Sequence, residues 1–313
     1  MLGEGNRIAL PSWERGIGNL SLTQPSHLTQ ESNLPLFQHP PRRVVSLVPS
    51  ITESLFDLGL GGTVVGITDY CIYPEEQLAG LVRVGGPKNP DVQAILGQQP
   101  DLVLANQEEN TRQAIEALQA AGAVVWVSFP RTVDEALGVL FTLADIFQDE
   151  GADDRVRSLT ALVEQTRASR RGEGRRKYFC PIWSETPPAG QRWWMTFNRD
   201  TYMHDLLELL GGENIFALRE RRYPLEADLG LAEPKAAPGR DRRYPRVTFE
   251  EIRGAGPEMI LLPSEPYAFG EAHRREMAEL FPGVWIVQVE GSLLTWHGTR
   301  LGRALRELAG LFG

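Results

Sequence analysis

The side chains best able to do chemistry gather where apolar runs end. The stretch "GITDYCIYPEE", Gly66 to Glu76, follows Val64-Val65 and holds Asp69, Tyr70 and Cys71, the last being one of only two cysteines. Strand ends are where α/β proteins bind ligands. A tyrosine there offers a flat, polarizable face to a large planar ligand while its hydroxyl stays wet; the alternative is a ring that caps its own core. A thiolate binds soft or borderline metals, whereas a buried lone cysteine is simply a small hydrophobe. Cys180 ends the apolar run of "KYFCPIW". Cys71 and Cys180 are thus open to metal binding, to a single bridge, or to inert burial.

Further candidates follow the same pattern. In "ANQEENTR" (105–112), Glu108 and Glu109 are placed to contact a ligand, and Asn110 is expected to N-cap the next helix. Arg131 in "SFPRT" would meet a carboxylate or phosphate, or pair within its own domain. "WSETPPAGQRWWMTFNRDTY" carries Trp183, Trp193, Trp194, Arg199 and Tyr202. "PSEPYAFGE" carries Glu265, Tyr267 and Phe269, and "LLTWHGTR" carries Trp296, His297 and Arg300. Repeated aromatics beside Gly and Pro predict an exposed platform, with Trp183 and Trp296 as its leading candidates. His297 is either an axial ligand to a bound metal complex or a hydrogen-bonding wall residue. No G-x-S-x-G, H-E-x-x-H, P-loop or G-x-G-x-x-G is present, so no catalytic residue is assigned.

These loops need a frame. The 313 residues suffice for two modest domains with cores. Hydrophobic residues make up 42% and charged residues 23%, a globular balance. A net charge of −9 argues against a sequence-independent nucleic-acid binder. No apolar run reaches the roughly 18 residues of a membrane span. The first residues show no basic-then-apolar leader and no cysteine for a lipid anchor, so the sequence as written reads as cytoplasmic; a different start would make it periplasmic or cell-surface. Residues 1–41 lack periodicity and read as a disordered or loosely packed arm. From 42 a strand-helix rhythm implies parallel sheets covered on both faces. "RVVSLV" is a strand, and the helix after it is expected to start at Ser50 with Glu53 closing a capping box. The rhythm restarts at "KYFCPIW". The sequence "RRYP" occurs at 221–224 and again at 242–245, and the intervening 222–241 reads as an inserted surface loop.

Taken in order, "RVVSLVPSITESLFDLGLGGTVVGITDYCIYP", "PDLVLAN", "LLELLGGENIF" and "PEMILLPS" resemble the class III substrate-binding proteins of ABC importers, and within them the helical-backbone metal receptors that bind vitamin B12, haem or ferric siderophores. The resemblance spans about 42–313. It implies an α/β fold of two Rossmann-like lobes with central parallel sheets, joined by a single long α-helix, with a ligand cleft between them. In this sequence the lobes would be 42–131 and 176–313, with a helical connector at 132–175 whose backbone helix lies near 152–172. It implies a non-catalytic monomer, without a covalent cofactor, that binds cobalamin, haem or a ferric siderophore and serves an ABC permease. Tyr70 matches the tyrosine that packs on the corrin ring in vitamin B12-binding members. The two glutamates that dock such proteins to a permease fall at Gln93 and near Thr295, and neither position is acidic. A cytoplasmic metal-complex chaperone or sensor, or an enzyme on a nitrogenase-like pair of lobes, are the alternatives.

Overall fold

The computed structural model describes residues 37–186 and 190–312. Its contacts divide the described residues into two units, one formed by residues 37–52 with Leu60–Phe129 and the other by Glu53–Gly59 with residues 130–186 and 190–312.

In the first unit the elements run β1 (Val44–Ser46), the start of α1 (Pro49–Asp57, whose residues from Glu53 onward belong to the second unit), β2 (Val64–Ile67), β3 (Val82–Arg83), β4 (Gly85–Gly86), β5 (Asn89–Pro90), α2 (Val92–Gly97), β6 (Leu102–Asn106), α3 (Arg112–Ala120) and β7 (Val125–Ser128). Five strands form one parallel sheet in the order β3-β2-β1-β6-β7. The central strands β1 and β6 are buried along their whole length, which is why they read as unbroken apolar runs. Val45, Leu47, Val84, Ile95, Val103 and Leu118 form a core cluster of this unit. Two expected caps lie elsewhere. Helix α1 begins at Pro49, so Ser50 sits inside its first turn; proline suits that first position because its φ is preset and it has no N–H to leave unpaired. Helix α3 is capped by Thr111, whose hydroxyl accepts from the Ala114 N–H, and not by Asn110.

The second unit continues with α4 (Val133–Phe147), α5 (Glu150–Ser169), β8 (Arg176–Phe179), β9 (Trp183–Glu185), β10 (Trp193–Met195), α6 (Tyr202–Leu209), β11 (Gly212–Asn214), α7 (Leu225–Asp228), β12 (Arg246–Thr248), α8 (Phe249–Ala255), β13 (Met259–Pro263), α9 (Glu271–Leu280), β14 (Trp285–Val289), α10 (Ser292–Thr295) and α11 (Leu301–Leu308). A parallel sheet β11-β8-β13-β14 carries the fold, and β12-β10-β9 form a small antiparallel sheet. The helix α5 is one unbroken run of 20 residues, about 30 Å long. It buries only Ala152, Val156 and Val163, which accounts for its polar sequence.

The antiparallel sheet overturns one expectation. Trp193, Trp194 and Phe269 were expected on an exposed platform, yet all three are buried. Trp194 and Phe269 belong to the core cluster that includes Phe179, Val247, Ile260 and Met277. Trp193 lies beneath the Arg246 guanidinium and Trp194 beneath that of Arg192, at 5.6 and 4.7 Å from the ring centres. Cationic stems thus shield what would otherwise be a wet aromatic surface.

Candidate ligand-binding site

The parallel sheet of the first unit reverses its strand order at β1, and ligands bind beyond the carboxyl ends of strands at such points. Asn110 organises this edge. Its side-chain oxygen accepts from the Asn106 N–H at 2.8 Å, and its amide donates to the Leu47 carbonyl at 3.2 Å and the Pro87 carbonyl at 2.9 Å. One side chain therefore ties together the segments that follow β1 and β4 and the end of β6. Asn106 adds a second tie: its side-chain oxygen Oδ1 accepts from the N–H groups of Glu108 and Glu109. Glu108 is exposed and Glu109 half-buried on this rim.

Tyr70 stands on the same edge and is 65% exposed, so its ring does not cap the core. The turn that presents it is pinned from below. The Asp69 N–H donates to the Gly85 carbonyl at 2.9 Å, and Arg83 donates to the carbonyls of Thr68 and Cys71 at 2.8 and 2.7 Å. Asp69 itself is exposed. Gly85 takes a positive φ of 84°, and at Gly86 a Cβ would come within 3.6 Å of the Tyr70 ring. Cys71 points inward, with its sulfur 3.1 Å from the Thr52 hydroxyl and 3.2 Å from that of Thr68. Burial pushes its thiol pKa up, against the lowering effect of those hydroxyls. Cys180 is also buried and its thiol is pushed further up by burial alone. Both thiols are free, and their raised pKa disfavours the thiolate that metals bind. Among the described residues no group of three or more His, Cys, Asp or Glu side chains is arranged to hold a metal ion.

Lys88 was not singled out from sequence. It donates to the Glu108 carbonyl, and burial lowers its ammonium pKa while Glu109 and Glu108 raise it. Its signal was available: it is one of only three lysines in the chain, set in "GGPKNP".

In the second unit the candidates form small groups. Trp183 meets Tyr267 edge-on with ring centres 5.2 Å apart, and both are half-buried. Glu265 accepts from the Thr295 hydroxyl at 2.8 Å. Gly291 is required beside it, because a Cβ there would come within 2.5 Å of Glu265. Trp296 is half-buried under the Arg300 guanidinium, 4.7 Å from the ring centre. Tyr202 and His297 are buried and meet edge-on at 6.2 Å. Burial pushes the Tyr202 phenol up and the His297 imidazole down to about 4. A neutral imidazole is thus held below the surface. Arg199 is exposed, and its N–H donates to the Ala217 carbonyl. Arg131 is exposed at the start of α4, where its N–H donates to Glu135 at 2.6 Å and its guanidinium approaches the same carboxylate at 3.8 Å.

Residues 44–265 match the family model described as periplasmic binding protein. The chain belongs to that family. A vitamin B12-binding protein of Vibrio parahaemolyticus is 29% identical over 202 residues, covering 62% of this chain and 68% of the relative. Its counterpart in Vibrio cholerae is 26% identical over 247 residues, covering 77% of each. Among solved structures, the periplasmic vitamin B12 binding protein BtuF of Vibrio cholerae superimposes with a TM-score of 0.68 at 21% identity, covering 87% of this chain and 96% of that one. The periplasmic heme-binding protein RhuT from Roseiflexus sp. RS-1 gives 0.63 at 20% identity, covering 86% and 96%. These structures establish the fold, an α/β architecture with parallel sheets shared with periplasmic binding proteins. The cytoplasmic expectation finds no support in a periplasmic family. Among the described residues no helix is long and apolar enough to cross a membrane.

Proposed function

We propose that this periplasmic binding protein captures a corrinoid without transforming it and delivers it to an ABC-type permease outside the cytoplasm. The observation that carries the reading is the match over 77% of the chain to a vitamin B12-binding protein. The exposed Tyr70 supports it, because a broad aromatic face at a strand end suits a flat macrocycle. In this reading Tyr70, Asp69, Glu108, Glu109 and Lys88 contact the ligand from the first unit. In the second unit, taken by itself, Trp183, Tyr267, Glu265, Trp296, Arg131 and Arg199 are the side chains offered for ligand contact. Tyr202 and His297 act from beneath, by holding the loops that carry Trp296. Asp91, the exposed N-cap of α2, is the acidic side chain nearest Gln93 in sequence and is offered as a permease contact.

Titration calorimetry of the full chain with aquocobalamin, haemin and a ferric siderophore tests the reading. Aquocobalamin should bind with a dissociation constant of about 1 μM or tighter, equivalent to roughly 8 kcal/mol. Heat with haemin alone would move the ligand to a porphyrin, and no heat with any of the three would overturn the ligand class.

A further inference from the structure

The loop after β2 carries Asp69 and Tyr70 at the tip of a tight turn, closed by the Cys71 N–H donating to the Thr68 carbonyl at 3.2 Å. Four consecutive residues, Arg83 to Gly86, cradle that tip. The Arg83 guanidinium donates through one nitrogen, Nη1, to the carbonyls of Thr68 and Cys71 at 2.8 and 2.7 Å, the two residues that bracket Asp69-Tyr70. The Gly85 carbonyl accepts from the Asp69 N–H at 2.9 Å. A Cβ on Gly86 would stand 3.6 Å from the Tyr70 ring, so the ring edge lies beside bare backbone. The cradle is itself fixed in the sheet: Val84 is fully buried, and its N–H donates to the Ile67 carbonyl at 2.9 Å.

Of these contacts only the Arg83 grip is charge-assisted, and only it reaches both sides of the tip. A guanidinium bonded to carbonyl oxygens holds more strongly than a neutral pair does. An exposed ring serves a ligand best when its freedom is already spent before binding, because ordering it later subtracts from affinity. The same turn roofs Cys71, which is fully buried with its sulfur 3.1 Å from the Thr52 hydroxyl and 3.2 Å from that of Thr68. Loosening the tip opens a path to that thiol, which makes Cys71 a reporter on the turn in the absence of ligand.

We infer that Arg83 is a positioning residue: by holding the carbonyls on either side of Asp69-Tyr70 it sets the aim of the Tyr70 ring before ligand arrives. The inference rests on the reading of Tyr70 as a ligand contact and adds to it a residue that acts through Tyr70.

A double-mutant cycle read by calorimetry with aquocobalamin tests this on the full chain. Arg83→Ala should weaken binding about tenfold, the loss of one charge-assisted hydrogen bond. In the Tyr70→Ala background the same change should weaken it less than about twofold, because no ring is left to aim. Arg83→Lys keeps a cation with donors for both carbonyls and should recover most of the loss. Arg83 lies on an exposed two-residue edge strand, so these variants should melt as the wild type does. Labelling of the ligand-free protein with dithionitrobenzoate, mapped by mass spectrometry, is the second arm. Arg83→Ala should speed labelling of Cys71 about tenfold or more and leave the buried Cys180 unlabelled. A loss as large without Tyr70 as with it, or labelling of Cys71 equal to wild type, overturns the inference while leaving Tyr70 in the site. A wild type that binds no aquocobalamin, or Tyr70→Ala binding as tightly as wild type, overturns the Tyr70 reading and the inference with it.

Discussion

Tyr70 shows how much one side chain can carry. It is 65% exposed, so its removal should cost the fold little, while truncating a buried aromatic anchor at a binding site costs on the order of 2 kcal/mol. Tyr70→Ala should therefore weaken aquocobalamin binding roughly thirtyfold with an unchanged melting temperature; unaltered affinity would remove Tyr70 from the site. Cys71, its neighbour, has the opposite character, since it is packed under the turn between two threonine hydroxyls. The sequence could not separate these roles, because adjacent residues on an irregular turn need not alternate as they do in a strand. His297 makes a pH prediction. Its folded pKa is about 4 because of burial, below the ordinary value near 6.5, so between these values the unfolded chain binds the extra proton. The resulting stability is complete above about pH 6.5 and is lost as pH falls toward 4, by roughly 3 kcal/mol. Urea denaturation at pH 7, 5 and 4 should show this slope in wild type and a shallower one in His297→Asn. Equal slopes would contradict the assignment.

Elements were legible to the degree that their burial was uniform. Strands β1, β6 and β13 are buried throughout and stand out as apolar runs. The ribbon of β9 and β10 was not legible: each has three residues, and tryptophans covered by arginine look the same in sequence as tryptophans open to ligand. Capping also misled, because Asn is a better cap than Thr by type, and only the long-range ties made by the Asn110 side chain withdraw it from that role. A second long-range tie makes the next prediction. Arg300, with 3% of its side chain exposed, bonds to both oxygens of Glu53 on α1, at 2.7 and 2.6 Å, and to Glu290 after β14 at 2.9 Å. Removing the shared cation leaves the largely buried Glu53 without its guanidinium, while Glu290 keeps Arg303 at 2.6 Å. Arg300→Ala should destabilise the protein by about 3 kcal/mol in urea titration. Arg300→Lys should lose less, since it keeps the charge but not the fork. A loss under about 0.5 kcal/mol for Arg300→Ala would show the network to be ornamental.

For the whole molecule, binding and folding are linked. A ligand present at a hundredfold excess over its dissociation constant adds about 2.7 kcal/mol to the unfolding free energy. Saturating aquocobalamin should therefore raise the melting temperature measurably, and a flat series would argue against the corrinoid reading without recourse to calorimetry. The α/β class could be read from strand-helix rhythm because the rhythm is local, and the family from its resemblance in stretches such as "PDLVLAN" and "LLELLGGENIF". The meeting of the two Arg-Arg-Tyr-Pro copies could not, because the Arg221 N–H donates to the Arg242 carbonyl at 2.9 Å, a contact between residues 21 positions apart in sequence. That meeting makes the excursion between Arg221 and Arg242 separable: its two ends are joined by a hydrogen bond, and Asp228 anchors it from inside. Its stretch from Leu231 to Lys235 is exposed throughout, and the Lys235 N–H, which donates to the Tyr223 carbonyl at 2.8 Å, holds the end of that stretch in place. A protease cut after Lys235 should therefore leave a nicked protein that runs as one species in native gels and separates into two pieces only in denaturant. The same point should accept an epitope tag or a fluorescent domain, which makes it a handle by which the protein can be immobilised or tracked.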